Sequence, residues 1–309
     1  MAELTSAYGH DMLTVEQVVA DPTWLAQRTL ENLDGAFLEE ALFRNGGTND
    51  GVVAYREAAS PFLADDAEEV AEFAEIPISN PNIGKAHSLI GVKTALGIRI
   101  SREMRRENKI DQVSLQQTAL QNTMIKNGVE ATLEAFRAAN VQTLAVTAQW
   151  DSTDATPLRD LINGKRMVSS ARPDGGDKNE RFGYSANAII GSEAAIDLLL
   201  WHEDTQRLYN GNAAVENPIY KGITPGTLSG LRVITSPFLA DDELYIMQTG
   251  TAGFISDTDP LTMTPLYSES GENGHGGSRQ SWRMDAFRKR IIAVDNPKAV
   301  VRVTGFTEA

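Results

Sequence analysis

The chain has 309 residues, a hydrophobic fraction of 41% and a charged fraction of 23%, which are values of an ordinary globular protein with one large or two smaller domains. It contains no cysteine, which excludes disulfides, thiolate metal sites and a cysteine nucleophile. The net charge of -14 argues against a protein whose main task is to grip nucleic acid, because that task requires basic surface.

Short helices are predicted in the first 59 residues. Thr14 and Gln17 have the spacing of a capping box in front of an apolar pair. A second amphipathic helix carries Trp24 and Leu25 and is expected to end at Gly35. Helices of this length are not stable in isolation. We therefore expect residues 1–59 to form an arm that docks on the rest of the fold.

A long antiparallel ribbon is predicted next, over residues 60–101. Its returning leg, from Ser88 to Ile100, alternates between β-branched and small or polar residues with a strict period of two. At about 3.3 Å per residue this leg spans roughly 40 Å, far more than a typical strand. The acidic segment from Asp65 to Glu75 precedes it, where core sequence would be expected. We predict an extended loop that lies on a second copy of the chain, with Ile90 and Ile98 as contact residues.

A long helix is predicted after the ribbon. Ser101 is expected to cap its start, and the helical pattern continues from Arg102 to Ala139, a length of about 55 Å. Because Asp111 offers a second cap, we expect a break near Asn108.

The remaining sequence alternates strands and helices. The predicted elements are a strand at 141–150, a helix at 157–171, a strand at 185–191, a helix from 192 to about 209, a small sheet within 231–256 and two closing strands at 281–294 and 298–306.

No catalytic motif is present. The sequence has no nucleophile elbow, no phosphate-binding loop and no zinc-protease motif, and its four histidines have no ligand spacing. We therefore expect no catalysis, no metal and no cofactor. A soluble α/β enzyme remains an alternative that no catalytic constellation supports.

Two clusters of opposite charge are candidates for contact between copies. The acidic cluster comprises Asp65, Asp66, Glu68, Glu69, Glu72 and Glu75. The basic cluster comprises Arg102, Arg105, Arg106 and Lys109 at the helix start and Arg283, Arg288, Lys289 and Arg290 on a late strand. Such clusters are explained equally well as solvated faces or as complementary surfaces between subunits.

Taken in this order, the elements resemble the major capsid proteins of tailed bacteriophages, whose Hong Kong 97-like fold is shared by encapsulins. The segments that carry the resemblance are 69–77, 93–104, 122–128 and 293–301. The resemblance covers most of the chain, although no single motif is diagnostic. It implies an α+β fold with an N-terminal arm (1–59), an extended loop (60–101), a peripheral domain with a spine helix (102–150), an axial domain (151–278) and returning strands of the peripheral domain (279–309).

The resemblance also implies a function. The chain would self-assemble into the hexamers and pentamers of an icosahedral shell that encloses double-stranded DNA without sequence specificity. The shell would assemble in the cytoplasm of the bacterial host and would have no membrane partner. The chain's partners would be itself, a portal, a scaffolding protein and, where present, decoration proteins. Because the arm begins almost at Met1, we expect a separate scaffolding protein. An encapsulin shell around a protein cargo is the alternative within the same fold.

Overall fold

The computed structural model describes residues 4–5, 12–152, 154–174, 176, 179–203, 205, 226–271 and 273–307. The helices in this part of the chain are α1 (Val15–Ala20), α2 (Trp24–Leu33), α3 (Leu38–Leu42), α4 (Arg102–Arg106), α5 (Ile110–Ala138), α6 (Pro157–Ser169) and α7 (Glu193–Trp201). The strands of the first half are β1 (Leu4–Thr5), β2 (Met12–Leu13), β3 (Arg44–Thr48), β4 (Val52–Arg56), β5 (Ala86–Ile90), β6 (Val92–Ser101) and β7 (Gln142–Ala145). Those of the second half are β8 (Ala188–Gly191), β9 (Thr227–Leu228), β10 (Leu231–Thr235), β11 (Glu243–Met247), β12 (Phe254–Met263), β13 (Tyr267–Ser268), β14 (Ser281–Ala293) and β15 (Val300–Thr304).

The N-terminal helices pack against the core, and α1 begins with the predicted capping box. Thr14 and Gln17 form the capping box of α1, in which the backbone N–H of Thr14 donates to the side chain of Gln17 at 2.9 Å. Val15 and Val18 of α1 and Leu25 and Leu33 of α2 are buried in the same core as α5. The short helices are therefore held by tertiary packing, as their length requires.

The long helix has the predicted break. Ser101 caps α4 by accepting a hydrogen bond from the N–H of Met104, and Asn108 adopts a φ of 51° between α4 and α5. The side chain of Asn108 accepts a hydrogen bond from the N–H of Val15, which ties the break to the N-terminal arm. Helix α5 has 29 residues, which corresponds to a length of about 43 Å.

The strands form two larger sheets and a ribbon. One sheet has six strands in the order β7-β15-β11-β8-β10-β9, and α6 and α7 contribute to the core beside it. The other has five strands, in which β14 pairs with β6 on one side and with β12 and β13 on the other, and β3 pairs with β12. Strands β4 and β5 pair only with each other.

The domain boundaries predicted at 151 and 278 do not coincide with these sheets. Strands β7 and β15, assigned to the peripheral domain, share a sheet with β8 and β11 from the predicted axial domain. Strand β12 pairs with β14 of the returning strands. The prediction of a small sheet within 231–256 was wrong, because β10 and β11 lie in the six-stranded sheet and β12 lies in the five-stranded sheet. The assignment of 151–278 as an axial domain stays a prediction.

The predicted single strand from Ser88 to Ile100 is interrupted at Gly91, which separates β5 from β6. A Cβ at Gly91 would lie 3.0 Å from the side chain of Lys289 and 3.2 Å from that of Ile291, so a larger residue here would require these two side chains to shift. Beyond it, β6 pairs with β14 over ten residues of the same subunit. Of the returning leg, only the residues before Gly91 lie outside the five-stranded sheet.

Candidate intersubunit surfaces

Residues 61–78, between β4 and β5, are all exposed. Leu63 bridges to Pro81, and the N–H of Ala64 donates to the carbonyl of Asn80 at 3.1 Å, so the two legs of the loop meet at its base. The segment therefore projects from the sheets, as the sequence predicts for the extended loop.

Large apolar side chains lie on this loop without cover. The exposed fractions are 99% for Phe73, 76% for Ile76 and 91% for Ile78. Burying such a side chain is worth about 1.5–3 kcal/mol, and monomeric proteins rarely leave contiguous apolar patches on an otherwise polar surface. The loop thus has the character of a surface that another chain covers.

The acidic cluster lies on the same loop. Asp65, Glu68, Glu69 and Glu72 are exposed, and none forms an ion pair within the described residues. Their mutual repulsion favours an extended loop and leaves their charge available to an opposite surface.

The predicted contact residues Ile90 and Ile98 have different environments. Ile90 is 75% exposed and pairs across the ribbon with Val52, itself 58% exposed. Ile98 is buried with Ile100 and Met284 in the core against α5. Ile90 therefore remains a candidate contact residue, and the prediction for Ile98 was wrong, because the ribbon joins its own subunit's sheet after Gly91.

The basic cluster at the start of α4 is partly free. The guanidinium of Arg102 donates to the side chain of Gln280 at 3.3 Å and forms no ion pair with the residues that the structure describes, and Arg106 is exposed. Arg105 pairs with Glu16 at 3.2 Å and lies 5.4 Å above the ring of Trp282. Arg102 and Arg106 can therefore receive a carboxylate from another chain at little cost, whereas Arg105 would have to leave its partners.

The two arginines of the late strand are engaged within the subunit. Arg283 pairs with Asp285 at 2.5 Å and remains partly exposed. Arg288 is 4% exposed and pairs with the fully buried Glu39 at 2.7 Å. The prediction that Arg288 faces a neighbouring subunit was wrong, because it points into the core.

The buried pair belongs to a larger ion cluster that sequence reasoning missed. Arg290 pairs with Glu39 at 3.3 Å, with Glu40 at 2.9 Å and with Asp257 at 2.7 Å. Burial alone would lower the pKa of Arg290, but the hydrogen bonds that it donates to the carboxylates of Asp257 and Glu40 and the charges of Asp257 and Glu39 raise this pKa above its ordinary value. The cluster fixes α3 of the N-terminal arm to β14.

A glycine of the spine helix makes room for this cluster. A Cβ at Gly128 would lie 2.7 Å from Oε2 of Glu39 and 3.0 Å from Nη2 of Arg288. The period of β14 could have indicated the inward arginines, since Arg288 and Arg290 share a face with the buried Met284 and Ala286.

A second charged network stabilises the six-stranded sheet. Glu243 accepts a hydrogen bond of 2.6 Å from the hydroxyl of Tyr245 and pairs with Arg302 and Arg137. Burial would raise the pKa of Glu243, but the hydrogen bonds from Tyr245 and Arg302 and the charges of both arginines lower it below its ordinary value. This network joins the sheet to the end of α5 through Arg137 and is structural.

Within the described ranges, no group of three or more histidine, aspartate or glutamate side chains could hold a metal ion. A cavity of about 650 Å³ at the base of the loop contains Lys85, Asp174, Glu180 and Tyr184. At this cavity Lys298 pairs with Asp174 at 2.6 Å, and the hydroxyl of Tyr184 donates to Oδ1 of Asn296 at 2.7 Å. No helix in the described part of the chain is long and apolar enough to cross a membrane.

A sequence model of one protein family, described as phage capsid protein, matches residues 88–303, which is more than half of the chain. The chain belongs to the phage capsid protein family. The match begins in β5 and ends in β15, so it includes the spine helix, the six-stranded sheet and the strands of the five-stranded sheet other than β3. None of the curated proteins matches the sequence.

Solved structures similar to this capsid protein include those of viral shells. A Gordonia phage Cozz chain is 14% identical with a TM-score of 0.59, over 89% of this chain and 86% of that chain. A chain of the bacteriophage PhiM1 mature capsid is 10% identical with a TM-score of 0.57, over 87% and 86%. A virus-like particle from Pyrococcus furiosus is 12% identical with a TM-score of 0.55, over 91% and 97%. At these identities the likeness shows the fold.

Family and fold together confirm the interpretation of the sequence. The capsid protein has the predicted mixed helix and strand architecture of the Hong Kong 97-like fold. The predicted function as a major capsid protein of a tailed bacteriophage, a component of the virion, is also confirmed.

Proposed function

We propose that this capsid protein forms the hexamers and pentamers of an icosahedral shell that encloses double-stranded DNA, and that the loop at residues 61–78 lies on a neighbouring subunit. The observation that carries the proposal is the loop itself. It is exposed over 18 consecutive residues and bears Phe73, Ile76 and Ile78 without cover from its own subunit. A stable interface buries about 1,200–2,000 Å² in total, and an extended loop adds to such an area without enlarging the core.

Charge supports the same arrangement. The acidic cluster lies on the loop, while Arg102 and Arg106 lie at the other end of β6 with few partners of their own. Complementary surfaces of this kind steer association and fix its register more than they add affinity. Many weak contacts repeated over a shell would combine strength with correction of errors during assembly.

The remaining parts of the proposal concern partners. Enclosed DNA would be held without sequence specificity, since the net charge of -14 leaves little basic surface for phosphate contacts. A scaffolding protein, a portal and, where present, decoration proteins would complete the head during assembly in the host cytoplasm. The subunit would have no catalysis of its own.

Electron microscopy of the purified protein tests the proposal. We expect closed icosahedral shells, and particles isolated from infected cells should contain nuclease-protected double-stranded DNA. Discrete monomers under all assembly conditions would contradict shell formation. Purified shells that enclose a protein cargo and no DNA would instead support an encapsulin.

A further inference from the structure

One edge of β6 carries no strand. The ten residues Val92–Ser101 pair with β14 along one edge only, and no strand lies on the other edge in the part of the chain that the structure describes. The first half of this edge is also uncovered on its faces, with Val92 73% and Leu96 41% exposed. Long, flat, uncovered edges are templates for strand addition, and natural proteins seldom leave them open.

The sheet face beside this edge is a shallow groove with basic side chains. It has a volume of about 690 Å³ and is lined in part by Lys93, Ala95, Gly97 and Arg99. Lys93 lies 4.2 Å above the ring of Phe287 and forms no ion pair within the described residues, whereas Arg99 pairs with Glu269. Ala95 is small and leaves space on this face for a side chain of an added strand, whereas the Cβ position of Gly97 is occupied by the carboxylate of Asp285.

Residues 75–79, on the leg of the loop that returns to its base, have the pattern of an edge strand. In Glu75-Ile76-Pro77-Ile78-Ser79 the two isoleucines alternate with other residues, yet the segment forms no strand and both isoleucines are exposed. In an extended chain, residues two apart direct their N–H and C=O groups to the same edge. Ile76 and Ile78 would therefore bond to one edge, while Pro77, which lacks an N–H, would lie on the other edge and prevent further strand addition.

We propose that residues 75–79 of one subunit add as a strand to the free edge of β6 at residues 92–97 in a second copy of the chain. This pairing rests on the proposed function, because it requires the neighbouring subunit of a shell. Ile76 and Ile78 would lie on the face that carries Val92 and Leu96, which covers the apolar side chains of both copies. Glu75 would then lie on the opposite face, which carries Lys93 and the groove. The charges and the hydrophobic pattern therefore assign the same face of the added strand to the same face of β6.

Cysteine crosslinking tests the pairing, because the chain has no native cysteine. Ile78→Cys is combined in turn with a single cysteine at each position from 92 to 97, and shells are oxidised and separated on a denaturing gel. We expect ladders of linked subunits for positions on the same face, 92, 94 and 96, and only background for 93, 95 and 97. Ile78→Cys alone is the control, and unassembled subunits should give no ladder.

Two substitutions at neighbouring exposed positions, one that introduces a proline and one that removes a proline, test the main-chain hydrogen bonds. Ile78→Pro removes an N–H that the pairing directs to β6, and we expect loss of shell assembly. Pro77→Ala restores an N–H on the opposite edge, and we expect assembly at the parental level. Circular dichroism and thermal unfolding of both isolated subunits should match the parent, since the segment has no cover in its own subunit.

The outcomes separate this pairing from the function on which it rests. Shells that form from the parent chain but give no alternating crosslinks, or that form equally well from Ile78→Pro, would overturn the pairing and leave shell formation standing. Failure of the parent chain to form shells would overturn both.

Discussion

Arg288 on β14 donates a hydrogen bond of 2.7 Å to the carboxylate of Glu39 on α3, and both side chains are buried. The two residues are 249 positions apart in the chain. Their pairing joins the N-terminal arm to the returning strand beneath the spine helix. A buried charge that loses its partner is costly, so this contact makes the position of the arm part of the stability of the subunit.

Removing the carboxylate should expose that cost. We expect Glu39→Ala to lower the free energy of unfolding of the isolated subunit by about 3–5 kcal/mol, because Arg288 would remain buried beside fewer negative charges. Urea denaturation measures the change. Glu130→Ala is the matched control, since Glu130 pairs with Lys126 at 3.6 Å on the surface of α5 and should lose no more than about 1 kcal/mol. Equal losses in the two variants would contradict the role of Glu39.

Gly128 should resist a substitution that normally stabilises a helix. Alanine is favoured over glycine by about 0.8–1.0 kcal/mol in helix interiors. At Gly128 the new Cβ would displace the carboxylate of Glu39, so we expect Gly128→Ala to destabilise the subunit by about 1–3 kcal/mol. In Gly164→Ala of α6 the nearest atom is Cδ1 of Ile246, the end of an adaptable side chain, and the loss should be smaller. Thermal unfolding that ranks the two variants in the opposite order would refute this account.

The same substitution at Ile90 and Ile98 should separate assembly from folding. Ile98→Asp places a charge in the core and should lower the free energy of unfolding by at least about 1.5–3 kcal/mol, the contribution of the lost apolar burial. Ile90→Asp changes an exposed residue, so the isolated subunit should keep its stability to within about 0.5 kcal/mol while shell yield falls. Unfolding curves and electron microscopy of both variants provide the comparison. Normal shell assembly by Ile90→Asp would remove Ile90 from the interface.

Charge reversal should identify the partner of the acidic cluster. We expect Glu69→Arg with Glu72→Arg to block assembly, and Arg102→Glu with Arg106→Glu in the same chain to restore part of it. Arg105 is left unchanged because its contacts with Glu16 and Trp282 are internal. Raising the salt concentration from about 0.1 M to about 1 M should weaken association of the parent, because the Debye length falls from about 10 Å to about 3 Å. Blocked assembly without rescue would exclude Arg102 and Arg106 as the partner surface.

The network around Glu243 should make stability depend on acid pH. Its folded-state pKa lies below the ordinary value of 4.5, so its contribution is complete above that value and is lost as the pH falls through the lowered pKa. We expect Glu243→Gln to be less stable than the parent near neutral pH and the two unfolding free energies to converge under acid conditions. A difference that stays constant across this pH range would show that ionisation of Glu243 does not contribute.

Local patterns predicted much of this fold. The capping box at Thr14, the break at Asn108 and the long helix depend on residues close together in sequence, and each is present in the structure. The exposed loop was predictable because its acidic segment has no partner nearby in the chain. The family resemblance then supplied the order of the parts.

Long-range pairings were not predictable in the same way. The period of β6 shows which residues share a face, but not that the core against α5 covers this face at Ile98 and Ile100, so the pattern alone predicts Ile98 as a contact residue. Likewise, the charge of Arg288 suggested an exposed surface because its partner Glu39 lies in a distant helix. A period of two identifies the faces of a strand and leaves open which face, and which subunit, provides the cover.

The most direct test of the central claim is electron cryo-microscopy of assembled particles at side-chain resolution. We predict an icosahedral shell in which residues 61–78 of each subunit lie on a neighbouring subunit and Phe73, Ile76 and Ile78 are covered by it. A shell in which this loop folds back on its own subunit, or remains exposed to solvent, would contradict the account.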